Sequence, residues 1–523
     1  MSDRLCLPRV LPGLHLGCRG QLAVVGVHGP GRHPAAFLGK PVADRGDNGR
    51  MAAHDGREAS RGPRPSRCRE AGRGAGRPPR GRTRLLAMAA RLASNKNGRG
   101  SVRYVVLGNS VAGIAAAEAI RRHDPEGKID VVSDEKAFGY SRAMLPLYIA
   151  GKKTKRDTVF APRDFYSSRR IRLHQGQTAE SVDVLTQQVR LGNGKRLPYD
   201  RLLVATGSAS RTLDVPGKEL QGVFLLRRMT DAEAIKRHLR SCRGPVVIVG
   251  GGLVGVKTLE AMAGKKKEVH LVISSDRILS QMLDRTASDF FLRAFERHGL
   301  HVHLQTDVTA FHGRERLEGV ALSDGTRLSC DLAVVGKGVT PNIGCVRDTG
   351  VALNQGVRVD TRMATNVPSI FAAGDVAEPV DVLQQRNLPS TIWPSATEGG
   401  RIAGLNMAGV PATFSGALRM NSVEILGVRA ISAGVWEGGE QLTLLRPDRP
   451  LYRKLIHADG RLDGFLLLGD VRCAGVLTSL VKTRAEVSVQ ALAKDRDRGF
   501  SYRPRLYALG GSIQTGECGG MRN

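Results

Sequence analysis

Two glycine-rich turns, each preceded by an apolar strand and followed by a helix, constrain this chain more than any other feature of its sequence. The first lies within 102–117, VRYVVLGNSVAGIAAA, and the second within 246–262, where GGGLVG satisfies the full pattern G-x-G-x-x-G. Glycine lets backbone N–H groups approach a pyrophosphate closely, and the positive end of the helix dipole favours negative charge. Two such turns predict two dinucleotides bound side by side by a doubly wound α/β fold.

The first turn departs from the full pattern, because Ser110 stands where the middle glycine is expected between Gly108 and Gly113. Taken alone, it is also compatible with an ordinary strand-to-helix turn. An apolar strand over 129–132 follows, and Glu135 comes 22 residues after Gly113. An acid at that spacing is placed to hydrogen-bond ribose hydroxyls, whereas a solvated acid after a strand is the simpler alternative. The spacing favours Glu135 as a ligand.

The second turn lacks a matching acid. Its next strand, 269–273, is followed by Ser274 and Ser275, and only then by Asp276 and Arg277. Because the acid at this point selects for a ribose 2′-hydroxyl, its absence leaves the choice between NAD and NADP open.

Residues 1–95 differ in composition from the rest of the chain. They are rich in Gly, Pro and Arg and show no periodicity that would bury a core. We interpret this segment as a disordered or spurious basic extension, with a basic targeting arm as the alternative. Translation from Met88 would remove most of it, so whether 1–87 is natively made stays open.

Charge and cysteine content exclude several classes of function. Of the net charge of +30, the first 100 residues hold 18 Arg and 2 Lys against 6 acids, which leaves an excess of 16 basic residues elsewhere. No interleaved aromatic residues suggest nucleic-acid binding, so an acidic protein partner or a phosphate-bearing ligand is the better interpretation. None of the eight cysteines is spaced as C-x-x-C, which argues against a metal centre or redox disulfide and favours a cytoplasmic protein. No apolar run is long enough to span a membrane.

Three further motifs follow the glycine turns in a recognisable order. They are YDRLLVATG at 199–207, GKGVTPN at 336–342 and IFAAGDV at 370–376. With these five motifs, residues 101–410 resemble the two-dinucleotide flavoproteins, the pyridine nucleotide-disulfide oxidoreductases. The resemblance implies that FAD occupies the first site and NADH or NADPH the second.

The resemblance also implies roles for individual residues. The FAD site would comprise Gly108, Asn109, Ser110, Ala112, Gly113, Glu135, Arg142, Ala205, Thr206, Gly207, Gly374 and Asp375, and the nicotinamide nucleotide site Gly250, Gly252, Gly255 and Gly338. Glu260 stands where the family places a glutamate beside the nicotinamide, and it is the one catalytic candidate. The alternatives are a plain turn at Gly374-Asp375 and a solvated helix residue at Glu260.

Departures from the family bear on mechanism. The chain has no cysteine between Cys68 and Cys242, so the flavin-side loop around Arg142 cannot carry thiol chemistry. Oxygenase-type ferredoxin reductases have a lysine where this chain has Leu147, which leaves the partner of Glu260 undefined. The motifs GNSVAG, YSRAMLPLYIAGK and MNSVEILGVRAISAG instead resemble a subgroup of NADH:acceptor flavoproteins, those similar to rubredoxin reductase and nitrite reductase.

The predicted architecture has two Rossmann-like domains, with the NAD(P) domain inserted in the FAD domain. The predicted bounds are 101–217 and 336–410 for the FAD domain, 222–335 for the NAD(P) domain and 415–523 for a C-terminal α+β domain. In the family this last region makes homodimers or docks an electron acceptor, and a small capping domain is the alternative.

These features together predict an FAD-dependent NAD(P)H:acceptor oxidoreductase. Hydride would pass from the nicotinamide to the flavin, and electrons would leave for an external carrier, such as an acidic iron–sulfur protein. The enzyme would work as a homodimer or as a subunit of a larger oxidoreductase. Two alternatives remain open: an NAD(P)H oxidase that uses dioxygen, and a non-catalytic flavin-binding sensor or assembly subunit.

Overall fold

The computed structural model describes residues 101–265, 267–446 and 449–488. The predicted basic extension at 1–95, the possible start at Met88 and the last part of the predicted 415–523 domain lie outside these residues. Within the described ranges, no helix is long and apolar enough to cross a lipid bilayer.

The first part of the chain builds a five-stranded parallel sheet and several flanking elements. In chain order these are β1 (Arg103–Leu107), α1 (Val111–His123), β2 (Lys128–Ser133), β3 (Gly139–Tyr140), α2 (Leu145–Ala150), α3 (Lys155–Thr158), β4 (Val159–Ala161), α4 (Arg163–Ser168), β5 (Ile171–Gln175), β6 (Ala179–Asp183), β7 (Gln188–Leu191), β8 (Arg196–Pro198), β9 (Arg201–Val204) and β10 (Ser208–Ser210). The fifth strand of this sheet comes from a later part of the chain and pairs with β9. The central strands β1 and β9 are apolar and almost wholly buried, as expected for a parallel sheet covered on both faces.

A second five-stranded parallel sheet is inserted after β10. Its region contains β11 (Val223–Leu225), α5 (Met229–Ser241), β12 (Val246–Val249), α6 (Leu253–Ala263), β13 (Val269–Val272), α7 (Arg285–Arg297), β14 (Leu300–His303), β15 (Val308–His312), β16 (Gly319–Leu322), β17 (Arg327–Ser329), β18 (Leu332–Val335) and β19 (Val339–Pro341). The strand order is β11-β18-β12-β13-β14. Antiparallel pairing of β10 with β19 joins the segments that leave and re-enter the first unit.

The chain then returns to the first sheet and ends in an antiparallel one. The remaining elements are β20 (Val357–Arg358), β21 (Ile370–Ala372), β22 (Ala377–Glu378), α8 (Trp393–Met407), β23 (Met420–Ile425), β24 (Val428–Gly434), β25 (Glu440–Arg446), β26 (Leu451–Ala458), β27 (Arg461–Leu468) and α9 (Ala474–Thr483). The first sheet has the order β21-β9-β1-β2-β5, and the last has β23-β24-β27-β26-β25. The predicted fold class is confirmed: two Rossmann-like units, one inserted in the other, and a C-terminal α+β unit. The predicted domain bounds stay predictions.

Helix α1 is fixed against α8 by small residues. A Cβ atom on Gly400 would lie 2.2 Å from the carbonyl oxygen of Ala112, and one on Gly404 would lie 2.5 Å from that of Ala116. Only glycine permits backbones to approach this closely. The contact holds the N-terminus of α1 at the carboxyl edge of the first sheet, where ligands bind in folds of this kind.

Candidate functional site

A cleft of about 390 Å³ opens at the carboxyl edge of the first sheet. Its volume lies within the usual range for cofactor sites, about 300–1,000 Å³. The residues predicted for the first site that line it are Gly108, Asn109, Ser110, Ala112, Glu135, Arg142, Ala205, Thr206, Gly207, Gly374 and Asp375. The fold thus brings together, in one concavity, residues that lie in five separate stretches of sequence.

The glycine turn forms one wall of this cleft. Gly108 has φ +128°, and a Cβ atom there would lie 2.0 Å from the carbonyl oxygen of Ala205. A Cβ on Gly113 would lie 2.0 Å from the carbonyl oxygen of Gly108, so Gly113 packs the helix on the turn and does not line the cleft. The side chain of Ser110 makes no capping hydrogen bond to α1. The first-turn N–H groups therefore remain available to an anion.

The predicted ribose ligand, Glu135, is held on both carboxylate oxygens. Arg142 Nη2 donates to its Oε1 at 2.7 Å, and the Tyr140 hydroxyl donates to its Oε2 at 2.6 Å. Burial of Tyr140 raises the pKa of its phenol, so the hydroxyl stays a donor at neutral pH. Each carboxylate oxygen keeps a second lone pair, and Glu135 can still accept bonds from ribose hydroxyls.

Asp375 is paired with a residue that sequence reasoning missed. Arg227 Nη2 lies 2.5 Å from Asp375 Oδ2, and the same oxygen accepts a hydrogen bond from the Ser208 hydroxyl at 2.7 Å. Arg227 follows β11 of the inserted unit, yet its side chain lines the cleft of the first. No local pattern marks this arginine, because its partner is 148 residues away in sequence. Only the fold shows the pairing.

Two other polar groups define the cleft. The Tyr166 hydroxyl donates to Asn109 Oδ1 at 2.6 Å, while the buried Asn109 Nδ2 has no hydrogen-bond partner. Cys345 also lines the cleft, and burial raises the pKa of its thiol to about 11, so it is protonated at neutral pH. Within the described ranges, no group of three or more His, Cys, Asp or Glu side chains is arranged to hold a metal ion.

The second glycine turn stands at the carboxyl edge of the second sheet. Gly250 has φ +111°, and a Cβ on Gly255 would lie 1.8 Å from the carbonyl oxygen of Gly250. Gly252 differs from both, since a Cβ there would meet nothing within 4 Å. The space above Gly252 is therefore open to a ligand. Gly338 follows β18 and has φ +90°. Like Gly250, Gly252 and Gly255, it does not line the first cleft.

Glu260 faces the C-terminal sheet and has a partner on its own helix. Lys257 Nζ lies 2.5 Å from Glu260 Oε2, and the backbone N–H of Leu426 donates to Glu260 Oε1 at 3.2 Å. Lys257 also donates to the carbonyl oxygen of Glu424. The i, i+3 spacing that places Lys257 beside Glu260 is visible in the sequence but was missed. The position of Glu260 beside a nicotinamide stays a prediction.

The two sheets and their glycine turns define a double dinucleotide-binding fold. Residues 102–400 match the family described as pyridine nucleotide-disulphide oxidoreductase. The chain belongs to this family, and it is an oxidoreductase as the sequence predicted.

Relatives of known activity cover most of the chain. It is 30% identical over 392 residues to the NADH-dependent phenylglyoxylate dehydrogenase subunit epsilon of Aromatoleum evansii, with 74% of this chain and 93% of the relative covered. It is 30% identical over 409 residues to the ferredoxin–NAD(+) reductase component of the biphenyl dioxygenase system of Paraburkholderia xenovorans (strain LB400), with 77% and 98% covered. A chain in the crystal structure of the covalent putidaredoxin reductase–putidaredoxin complex matches with a TM-score of 0.71 and 25% identity, over 75% of this chain and 96% of that one.

Proposed function

We propose that this chain is an FAD-dependent NAD(P)H:acceptor oxidoreductase that delivers electrons to an iron–sulfur carrier protein. The observation that carries the proposal is the presence of two glycine turns, one at the carboxyl edge of each parallel sheet. Relatives whose names include ferredoxin–NAD(+) reductase and putidaredoxin reductase support a carrier protein as the acceptor.

The first cleft fits FAD. The first turn of α1 offers N–H groups for a pyrophosphate, Glu135 offers a carboxylate for ribose, and Asn109 Nδ2 is a buried donor that lacks a partner. Arg227 and Asp375 form an ion pair that lines the same cleft, and Asp375 would contact the ribityl or pyrophosphate region of FAD.

When bound, FAD supplies a ring that takes up a hydride from reduced nicotinamide and releases electrons one at a time. The task of the protein is positioning, because hydride transfer requires the two rings in van der Waals contact. Arg227 contributes by tying the start of the inserted unit to Asp375 of the first. Arg228, the next residue, adds an ion pair of 2.6 Å to Asp134. These contacts hold the inserted unit against the first.

Anaerobic titration of the purified holoenzyme tests the proposed reaction. We expect NADH or NADPH to bleach the flavin absorbance band, and an iron–sulfur carrier to restore it faster than air does. Failure of both nucleotides to bleach the band would favour the non-catalytic alternative. Rapid peroxide or water formation without any carrier reduction would instead favour the oxidase.

Ionic strength tests the nature of the carrier. The excess of 16 basic residues in 101–523 predicts electrostatic attraction of an acidic partner. We expect the rate of carrier reduction to fall about tenfold between low salt and 0.5 M NaCl, where the Debye length drops to a few Å. Reduction of an uncharged quinone serves as the control and should change little. Equal salt dependence for both acceptors would contradict electrostatic docking.

A further inference from the structure

The two parallel sheets can be compared residue by residue, because the same backbone hydrogen bonds recur in each. The N–H of Gly108 donates to the carbonyl oxygen of Val132 at 2.8 Å, and the N–H of Gly250 donates to that of Val272, also at 2.8 Å. Gly108 and Gly250 are each the first glycine of their turns. The two bonds therefore make Val132 and Val272 equivalent positions.

The equivalence extends beyond the strands to the ribose-binding position. Gly176 donates to the carbonyl oxygen of Glu135 at 3.3 Å, and in the second unit Gln305 donates to that of Ser275 at 3.0 Å. Glu135 and Ser275 also lie at the same distance along the chain from these positions, three residues after Val132 and Val272 respectively. Ser275 thus occupies the place that Glu135 has in the first unit. A carboxylate there is the group that binds a ribose 2′-hydroxyl and repels a 2′-phosphate.

Asp276, the nearest acid in the sequence, does not replace the carboxylate that is missing at Ser275. Arg277 Nη1 lies 2.9 Å from Asp276 Oδ1, and Arg285 Nη2 lies 3.2 Å from Asp276 Oδ2. Both oxygens of this carboxylate are engaged by guanidinium groups, so its charge is compensated. The end of β13 therefore presents the hydroxyl groups of Ser274 and Ser275 without an uncompensated carboxylate.

A lysine reaches this position from another strand. Lys337 follows β18, on the other side of β12, and its ammonium donates to Ser274 Oγ at 3.2 Å. The same Nζ lies 2.6 Å from Asp307 Oδ1. The Lys337 side chain is 18% exposed, so it extends along the carboxyl edge of the sheet and not into solvent.

We propose that the second site prefers NADPH over NADH, and that the Lys337 ammonium and the Ser274 hydroxyl bind the 2′-phosphate. This inference rests on the proposed function and specifies its electron donor. A phosphate attracts the ammonium more strongly than a single carboxylate does, because it carries more charge and more acceptor oxygens. Asp307 is 43% exposed, so water can solvate its carboxylate when Lys337 turns to the phosphate.

Binding of nicotinamide-free probes to the flavin-loaded protein tests the preference without any turnover. Isothermal titration calorimetry with 2′,5′-ADP and with 5′-ADP measures how much the 2′-phosphate adds to the affinity. We expect 2′,5′-ADP to bind at least about tenfold more tightly, the value of one charge-assisted contact. Equal affinities, or tighter binding of 5′-ADP, would overturn the proposed preference.

A lysine variant tests the assignment to Lys337. We expect Lys337→Met to weaken 2′,5′-ADP about tenfold or more and to leave 5′-ADP within about twofold. Lys218→Met is the matched control, because Lys218 also pairs with an aspartate, Asp214 at 3.0 Å, but at an exposed site. Equal weakening of both probes by Lys337→Met would show that Lys337 does not read the 2′-phosphate.

A second variant introduces a carboxylate where the second unit lacks one. Ser275→Glu places a carboxylate at the position equivalent to Glu135, and we expect it to reverse the preference towards 5′-ADP and NADH. An unchanged preference in this variant, with an unchanged melting temperature, would argue against the equivalence. If neither probe binds and neither NADH nor NADPH bleaches the flavin, the proposed function itself fails. If NADH alone bleaches it, only the NADPH preference fails.

Discussion

Gly108→Val is expected to yield protein without flavin. A valine Cβ would lie 2.0 Å from the carbonyl oxygen of Ala205 and would have to adopt φ +128°, which β-branched residues avoid. The turn must move, and the N–H groups of α1 move with it. We expect the flavin-to-protein ratio to fall to about a tenth or less, since the strain and the overlap each cost about 1–3 kcal/mol. The ratio is measured by absorbance after purification.

Ser110→Gly is the matched control in the same turn. Ser110 adopts an extended conformation (φ −107°) and its hydroxyl makes no capping bond, so glycine removes no contact that the protein uses. We expect this variant to retain its flavin. A Gly108→Val protein that purifies with full flavin, while circular dichroism shows native helix content, would overturn the assignment of this cleft to FAD.

Gly252→Val is expected to slow flavin reduction by nicotinamide nucleotides strongly and to leave the fold intact. Gly252 has φ −80° and ψ −179°, an extended conformation that valine adopts readily, and its Cβ would meet no protein atom within 4 Å. The added methyl groups would instead fill the space where a pyrophosphate approaches the turn. We expect flavin reduction to slow at least about a hundredfold, because several charge-assisted hydrogen bonds of about 1.5–3 kcal/mol each are lost.

Gly264→Val is the control for the effect of a glycine-to-valine substitution at an end of α6. Gly264 lies at the other end of α6, has φ −87° and also has nothing within 4 Å of its Cβ position. Both variants should retain flavin and melt within about 2 °C of the parent, since neither disturbs packing. Normal reduction of Gly252→Val by NADH and NADPH would show that the second turn does not bind the nucleotide.

Much of the fold was predictable because its signals are local. The apolar runs around 102–107 and 246–249 are typical of buried strands, and the structure has strands at Arg103–Leu107 and Val246–Val249. The glycines after each run predicted the turns, since only glycine tolerates the backbone approach seen at Gly108 and Gly250. The position of Glu135 after β2 followed from the spacing of such units.

The contacts that define the site were less accessible to sequence reasoning. Arg227 approaches Asp375 because an inserted unit folds back on the unit that flanks it, and no spacing rule predicts such a pair. The sequence left the partner of Glu260 undefined because Leu147 stands where a lysine was expected, and the structure shows Lys257 on the same helix as that partner. That spacing was visible, whereas the contacts of Glu260 with Leu426 and of Lys257 with Glu424 were not.

The sequence by itself determined the class of this protein. Strand, glycine turn and helix are set by short-range sterics, so a double dinucleotide-binding fold could be inferred from the spacing of the motifs, and their resemblance to a known family implied an oxidoreductase. Only the tertiary structure decided which charged side chains stand at the ends of β2 and β13. Lys337 reaches Ser274 across the edge of the sheet, 63 residues away in sequence, because parallel strands bring their carboxyl ends together whatever their separation along the chain.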